Sequence, residues 1–225
     1  ESLQGVEELT DLVVVDSTPI GRTTRSNPAT YTKVLGPIRD LFAALPESRV
    51  RGYGKSRFSF NVEGGRCEVC KGAGSELVEL QFLAPVTVPC VECGGARFQS
   101  EALDVLYRGH SISAVLAMTA DEALEVFKDH PRITRPLQWM CDVGLGYLTL
   151  GQPSTTLSGG EAQRIKLVTH LQKRTHGHVL YLLDEPTTGL HMEDVGRLTS
   201  ALQCLVDQGH TVVVIEHNLE LVEAA

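Results

Sequence analysis

Two short runs near the C-terminus, Val179 to Leu183 and Val212 to Ile215, are apolar at every position. Continuous runs of this length predict strands buried on both faces, as in a parallel sheet. Between them Val195, Leu198, Leu202 and Leu205 recur at helical spacing, and Gly209 supplies a C-cap. The C-terminal third therefore reads as strand–helix–strand, an α/β unit. Upstream, Ser158 to Lys173 predicts a helix with Ile165, Val168 and Leu171 on one side, opened by a Ser158/Glu161 capping box. Thr119 and Glu122 form the same box ahead of Ala123, Leu124 and Phe127, and Pro136 to Val143 predicts a further helix. Tyr31 to Leu45 has helical spacing at Val34, Ile38, Leu41 and Phe42, weakened by Gly36-Pro37. Asp11 to Asp16 reads as a strand leading into the turn Pro19-Ile20-Gly21. Arg57 to Val62 alternates, with Phe58, Phe60 and Val62 on one face, and predicts another strand. Glu76 to Val88 carries strand-like patches. Leu103 to Tyr107 reads as a strand entering an Arg108-Gly109 turn, and the polar, basic segment Arg22 to Thr32 reads as a loop.

Composition sets outer bounds. The chain has 225 residues, 42% hydrophobic and 21% charged, enough for a real core and typical of a soluble globular protein. No apolar run approaches the roughly 18 to 20 residues a membrane span needs, and the N-terminus has no signal-peptide pattern. A cytoplasmic location is the default. The net charge of -8 argues against a generic nucleic-acid binder. Charge is unevenly placed, however: from Arg22 to Lys71 ten basic residues stand against four acids, a local excess of six. That window fits a solvated basic surface and equally a phosphate-contacting one.

The candidate chemistry lies in two places. Both apolar runs end in ionisable residues, Asp184-Glu185-Pro186 and Glu216-His217. In open α/β sheets ligands sit at the carboxyl ends of strands. An aspartate there can hold Mg²⁺, the next glutamate can deprotonate a water, and a histidine on the neighbouring strand can meet a terminal phosphate. Leu157-Ser158-Gly159-Gly160-Glu161 opens a helix whose N-terminus favours an anion. Taken singly, each of these has a structural alternative: an ion pair at a sheet edge, or a plain capped helix.

The second place is the cysteines. Cys67-x-x-Cys70 and Cys90-x-x-Cys93 are separated by 19 residues, the spacing of a four-cysteine zinc site, with a redox dithiol as the alternative. Four thiolates leave no open position, so such a zinc is structural. Cys141 and Cys204 stand alone in apolar helical patterns and read as core residues.

LSGGE (157–161), VLYLLDEPTTGLH (179–191) and VVVIEH (212–217), in that order, resemble the signature motif, Walker B motif, D-loop and switch histidine of the ABC ATPase family. The resemblance implies Asp184 on Mg²⁺, Glu185 as general base and His217 at the γ-phosphate. Ser158, Gly159, Gly160 and Glu161 would address the ATP held by the opposite ATPase half. Gly54-Lys55-Ser56 looks like the end of a phosphate-cradling loop. Its required first glycine is Arg49, so it reads as a basic surface turn. The true loop is expected upstream of Glu1, and the 225 residues alone are not expected to turn over ATP.

A zinc module ahead of the signature motif, with PIGRTTRSNPATYTKV, RFSFNVEGGRCEVC and LGQPSTTLSGGEAQRIKL, resembles the UvrA family of excision-repair ABC ATPases, in the second ATPase half. The first cysteine pair is also similar to one repeat of DnaJ-type chaperones, but Cys93-Gly94-Gly95-Ala96-Arg97 departs from it, and a chaperone-like zinc module has no use for LSGGE or DEPTTGL. The UvrA resemblance implies an incomplete α/β ABC core with a mainly β or irregular zinc insertion and a helical signature subdomain. Residues 1–21 would trail the ATP-binding core, 22–110 form the basic insertion and 111–225 the signature and Walker B part. It also implies ATP, Mg²⁺ and structural Zn²⁺ as cofactors. Implied partners are damaged duplex DNA, a second copy of the protein and a UvrB-like subunit. Arg22, Arg25 and Lys33 are the expected phosphate contacts. Ser17 departs from the glutamine usual after Asp16, which would suit a specialised paralogue, for example one conferring resistance to DNA-binding drugs.

Overall fold

In a computed structural model, residues 5–80, 83–173 and 177–224 are described. Strand β1 (Asp11–Val15) leads through bends to a single helical turn, α1 (Pro28–Tyr31), then α2 (Leu35–Ala44) and α3 (Pro46–Val50). A hairpin follows, β2 (Ser75–Leu80) and β3 (Leu83–Pro89). Five helices come next: α4 (Ser100–Leu103), α5 (Ile112–Ala117), α6 (Ala120–Val126), α7 (Pro131–Asp142) and α8 (Gly159–Leu171). The chain then runs β4 (Val179–Asp184), α9 (Met192–Asp207), β5 (Thr211–Ile215) and α10 (Leu219–Glu223).

The two capping boxes form as expected, Thr119 with Glu122 on α6 and Ser158 with Glu161 on α8. A third, unforeseen, makes α1 inside the expected Arg22 to Thr32 loop. Asn27 Oδ1 accepts from the Thr30 amide, Thr30 Oγ1 accepts from the Asn27 amide, and Pro28 has its φ preset for the first helical position. The helix expected from Tyr31 starts at Leu35, because Lys33 has φ 63° and breaks the path. α7 starts at Pro131, five residues before expectation, with Pro136 inside it.

Two expected strands are absent. Arg57 to Val62 is not extended: Lys55–Phe58 is a 3-10 turn. Its amides bond locally, Arg57 N to Gly54 O and Ser59 N to Ser56 O. Phe58 and Phe60 are buried as the alternation demanded, but Val62 is exposed. Leu103 to Tyr107 ends α4 and forms only a Tyr107–His110 bridge across Arg108 and Gly109, both at positive φ. The expected turn is there without its strand.

β1, β4 and β5 form one parallel sheet in the order β1-β4-β5, with Val15 opposite Leu183 and Asp184 opposite Ile215. Burial on both faces does not hold. Val15, Val179, Tyr181 and Leu183 are buried, but Leu12, Val14, Val213 and Ile215 are 46–62% exposed. One face carries α8 and α9, while the other is uncovered among the described residues. The buried face continues into a core through α2, α6, α7 and α8, in which α1 packs on α8 and α2 on α7. No helix among the described residues is long and apolar enough to cross a membrane.

Candidate functional site

The parallel register brings the ends of β4 and β5 level. Glu185 follows β4 with its amide donating to Ile215 O (2.8 Å) and with φ 45°. A non-glycine residue in the left-handed region costs about 1–3 kcal/mol, and here it turns the carboxylate out of the strand direction. His217 follows β5, and its Nε2 lies 3.4 Å from Glu185 Oε1, both side chains being largely open to solvent. Asp184 is exposed beside them. The three strand-end residues singled out in the sequence thus converge on one edge.

Glu216, between them, is otherwise engaged. Its carboxylate accepts from the amides of Thr187, His217 and Asn218, and from the Thr187 hydroxyl. Burial pushes its pKa up, and these bonds outweigh that and hold it below the ordinary glutamate value. It brackets the two loops that carry Glu185 and His217.

Ser158 is exposed at the start of α8. The Ser158 amide donates to Glu161 Oε2 (2.7 Å), and Tyr147 Oη donates to Glu161 Oε1 (2.8 Å). Burial alone would raise the Glu161 pKa, but the Ser158 amide and the Tyr147 hydroxyl lower it more, so a carboxylate is kept at this helix N-terminus. Gly159 lies against Ser17, where an added Cβ would meet Ser17 Cβ at 3.1 Å. Gly160 is buried, and a Cβ on it would meet Thr188 O at 2.5 Å. Its lack of a side chain serves the approach of the loop after Glu185.

Three further residues on α8, beyond the LSGGE motif, are not among the site residues the sequence predicts. Gln163 Nε2 donates to Val15 O (2.9 Å) and Asp184 O (2.8 Å), joining the ends of β1 and β4. Arg164, 1% exposed, donates to Thr188 O (3.0 Å) and Pro186 O (3.4 Å). Lys166 Nζ bonds Asp16 O, the Asp16 carboxylate and Thr18 Oγ1, flanking Ser17 on both sides. One signal was available: Arg164 lies on the stripe of Val168 and Leu171, at i, i+4 and i+7, which faces inward.

Lys166 and Thr18 hold the Asp16 pKa at about 2, from 3.8. A depressed carboxylate pKa contributes stability that is complete above the unfolded value and lost as pH falls through the folded one. The window here is therefore pH 4 down to 2. An NMR titration of the Asp16 carboxyl should give a midpoint near 2 in the wild type and a higher one in Lys166→Met, still below 3.8 because the Thr18 hydrogen bonds remain. Equal midpoints would dismiss the role of Lys166 at Asp16.

Cys67, Cys70, Cys90 and Cys93 come together with all four sulfurs within 4.8 Å of one another. Cys67 Sγ is 4.0 Å from Cys90 Sγ, and Cys70 Sγ is 3.7 Å from Cys93 Sγ. Tetrahedral zinc at about 2.3 Å from each sulfur needs edges of about 3.8 Å, and a disulfide needs about 2.05 Å. All four cysteines are free. The amides of Gly74 and Arg97 donate to Cys70 Sγ (3.3 Å) and Cys93 Sγ (3.4 Å), as thiolates require. The set fits a closed structural zinc site. Cys141 is a buried core residue as expected, while Cys204 is only half-buried.

The basic window divides in two. Arg51, Lys55, Arg57 and Arg66 form ion pairs with acids, and Arg39 bonds Lys55 O. Lys55 on Asp40 and exposed is the surface turn that the missing first glycine implied. Arg22, Arg25, Lys33, Arg49 and Lys71 are exposed with no acidic partner among the described residues. Arg25 lines a shallow depression of about 440 Å³ with Thr23, Ser26, Thr30 and Asn61.

A parallel sheet with an Asp-Glu pair and a histidine on adjacent strand ends, pinned to a capped LSGGE helix, is the arrangement that the resemblance to ABC-type ATPases implies. No family model matches the chain. Over all 225 residues it is 60% identical to UvrABC system protein A of Thermus thermophilus and 58% identical to that of Aquifex aeolicus, covering 24% of each. The crystal structure of UvrA2 from Deinococcus radiodurans superposes on 98% of this chain with a TM-score of 0.90 and 54% identity, the match taking in 27% of that chain. Over its whole length the chain matches a segment of UvrA proteins. It spans about a quarter of the length of the curated relatives it matches.

Proposed function

We propose that this segment serves ATP-dependent recognition of DNA damage in nucleotide excision repair, within a longer UvrA-type ABC ATPase. The observation that carries the reading is the identity to UvrA proteins over all 225 residues, zinc module included. In this reading Asp184 holds Mg²⁺, directly or through water, when ATP is bound. Glu185 takes the proton of the attacking water, and His217, 3.4 Å away, meets the γ-phosphate. Ser158 and the amides at the start of α8 address the nucleotide of the opposite half, with Gly159, Gly160 and Glu161 shaping that helix start. Residues 1–21 trail the ATP-binding core, 22–110 are the basic zinc-bearing insertion, and 111–225 carry the signature and Walker B elements. Partners are damaged duplex, a second copy of the protein and a UvrB-like subunit.

Arg22, Arg25 and Lys33 are the proposed phosphate contacts, supported by their exposure and lack of acidic partners. Each phosphate contact adds about 0.9 to the slope of log affinity against log salt. Replacing all three by glutamine in the full-length protein should flatten that slope by about 2 to 3 and weaken binding to any duplex alike. A slope and affinity equal to wild type would withdraw the assignment. A second reading, a paralogue devoted to resistance against DNA-binding drugs, is favoured by one observation. Ser17, held against Gly159, is shorter than the glutamine expected there.

A further inference from the structure

We propose that Arg97 is a positioning residue, through which the four-cysteine metal centre sets the path of the chain leading into Ser158. Nothing in the ATP or DNA reading requires this residue, and it rests on different observations.

Arg97 clips both cysteine pairs with its backbone. Its amide donates to Cys93 Sγ, and its carbonyl accepts from the Cys67 amide at 2.9 Å. Its side chain then leaves the module. The guanidinium passes over the Phe60 ring, 5.5 Å from the centroid, and Nη2 donates to Gly151 O at 3.0 Å. Gly151 is seven residues before Ser158. Its own amide donates to Leu116 O (2.7 Å), and three residues later the Ser154 amide donates to Ser26 O (2.7 Å), on the loop that carries Arg22 and Arg25. One side chain therefore joins the metal centre to the approach of the signature helix, and that approach is bonded to the basic loop.

Two features indicate that the arginine is held there for this contact. Its backbone is at φ 73°, a conformation that favours glycine, yet the position carries a long charged side chain. Across from it Gly74 keeps the stem's path open, since a Cβ there would stand 2.9 Å from Arg97 Cγ. Electrostatics supplies the dependence on metal. Four thiolates around a divalent ion leave a net charge of about −2. The guanidinium is partly buried, and the Cys70 and Cys93 thiolates offset part of the cost of its desolvation. Losing the ion disorders the sulfur cluster that orients Arg97, and Gly151 O loses its charged donor.

The test is hydrogen–deuterium exchange on the full-length protein, read at the amides of 151–158. In the zinc-loaded wild type these amides should exchange slowly, and stripping zinc with a chelator should speed them about tenfold. Arg97→Met should speed them to the same extent with zinc still at one per site and, after cobalt substitution, with the thiolate-to-cobalt absorption band unchanged. Arg97→Lys, which keeps the charge and one donor, should retain most of the protection. Wild-type protection at 151–158 in zinc-loaded Arg97→Met would overturn the proposal. So would an Arg97→Met protein that folds but has lost its zinc, because the arginine would then serve only the metal site. Should Arg97→Met not fold, the other two samples decide: protection unchanged by stripping the wild type, or lost in zinc-loaded Arg97→Lys, overturns it.

Discussion

Glu185→Gln in the full-length protein should lower the rate of ATP cleavage about 10²–10⁴-fold, the range supplied by a positioned general base, or about 3–5 kcal/mol on the barrier. The amide keeps the size and hydrogen-bonding reach of the carboxylate but cannot take the proton of water. Nucleotide affinity should be unchanged, because Asp184 and Ser158 are untouched, and Gln163 and Arg164 still join α8 to the strand ends. The strained φ of 45° at this position belongs to the backbone turn that Ile215 O and the Thr188 amide hold, so the substitution should leave the fold intact. Single-turnover cleavage alongside binding of a non-hydrolysable analogue separates the two effects. A cleavage rate within a few-fold of wild type would remove Glu185 from the chemistry.

Cys70→Ser should cost the protein its zinc and unfold the module from about residue 67 to 97, with the α/β core left standing. The size of the effect follows from what else holds the module. Its own buried cluster consists of Cys67, Cys70 and Cys90 with Ala73 and Cys93 packed against them. The β2–β3 hairpin leaves Leu77, Val78 and Val86 exposed. With so little apolar burial among the described residues of the module, metal binding, on the order of 10 kcal/mol in small zinc domains, is the main support. Zinc content and limited proteolysis read both halves of the prediction. Cys204→Ser, outside the cluster, should keep zinc at the wild-type level. Retention of zinc and of protease resistance by Cys70→Ser would show that the module stands without its metal.

Much of this was legible in the chain because the determinants are local. A capping box needs four residues, and Thr119/Glu122 and Ser158/Glu161 fold as their sequences prescribe. A four-cysteine site needs only spacing, and the sulfurs meet as the spacing required. The strand–helix–strand unit followed from two apolar runs. What escaped depends on partners distant in sequence. Phe58 and Phe60 alternate as a strand would, but among the described residues no strand pairs with them, and their backbone bonds locally. Val213 and Ile215 read as core, yet nothing among the described residues covers their face. Gln163 and Arg164 are polar residues in a helix whose apolar face alone reads as core, although Arg164 falls on the Val168 and Leu171 stripe. Both polar residues are buried because their donors reach carbonyls at the ends of β1 and β4 and in the loop beyond Glu185. The Asn27 capping box was readable, but the basic charges around it drew the segment towards a loop.

The central claim, that ATP use here reports on damaged DNA, is tested most directly by ATP turnover of the full-length protein in three conditions: no DNA, intact duplex, and duplex carrying a bulky adduct. The account predicts that duplex changes the rate and that the adduct changes it differently. Robust turnover indifferent to all three conditions would leave the ATPase assignment standing and contradict the repair function.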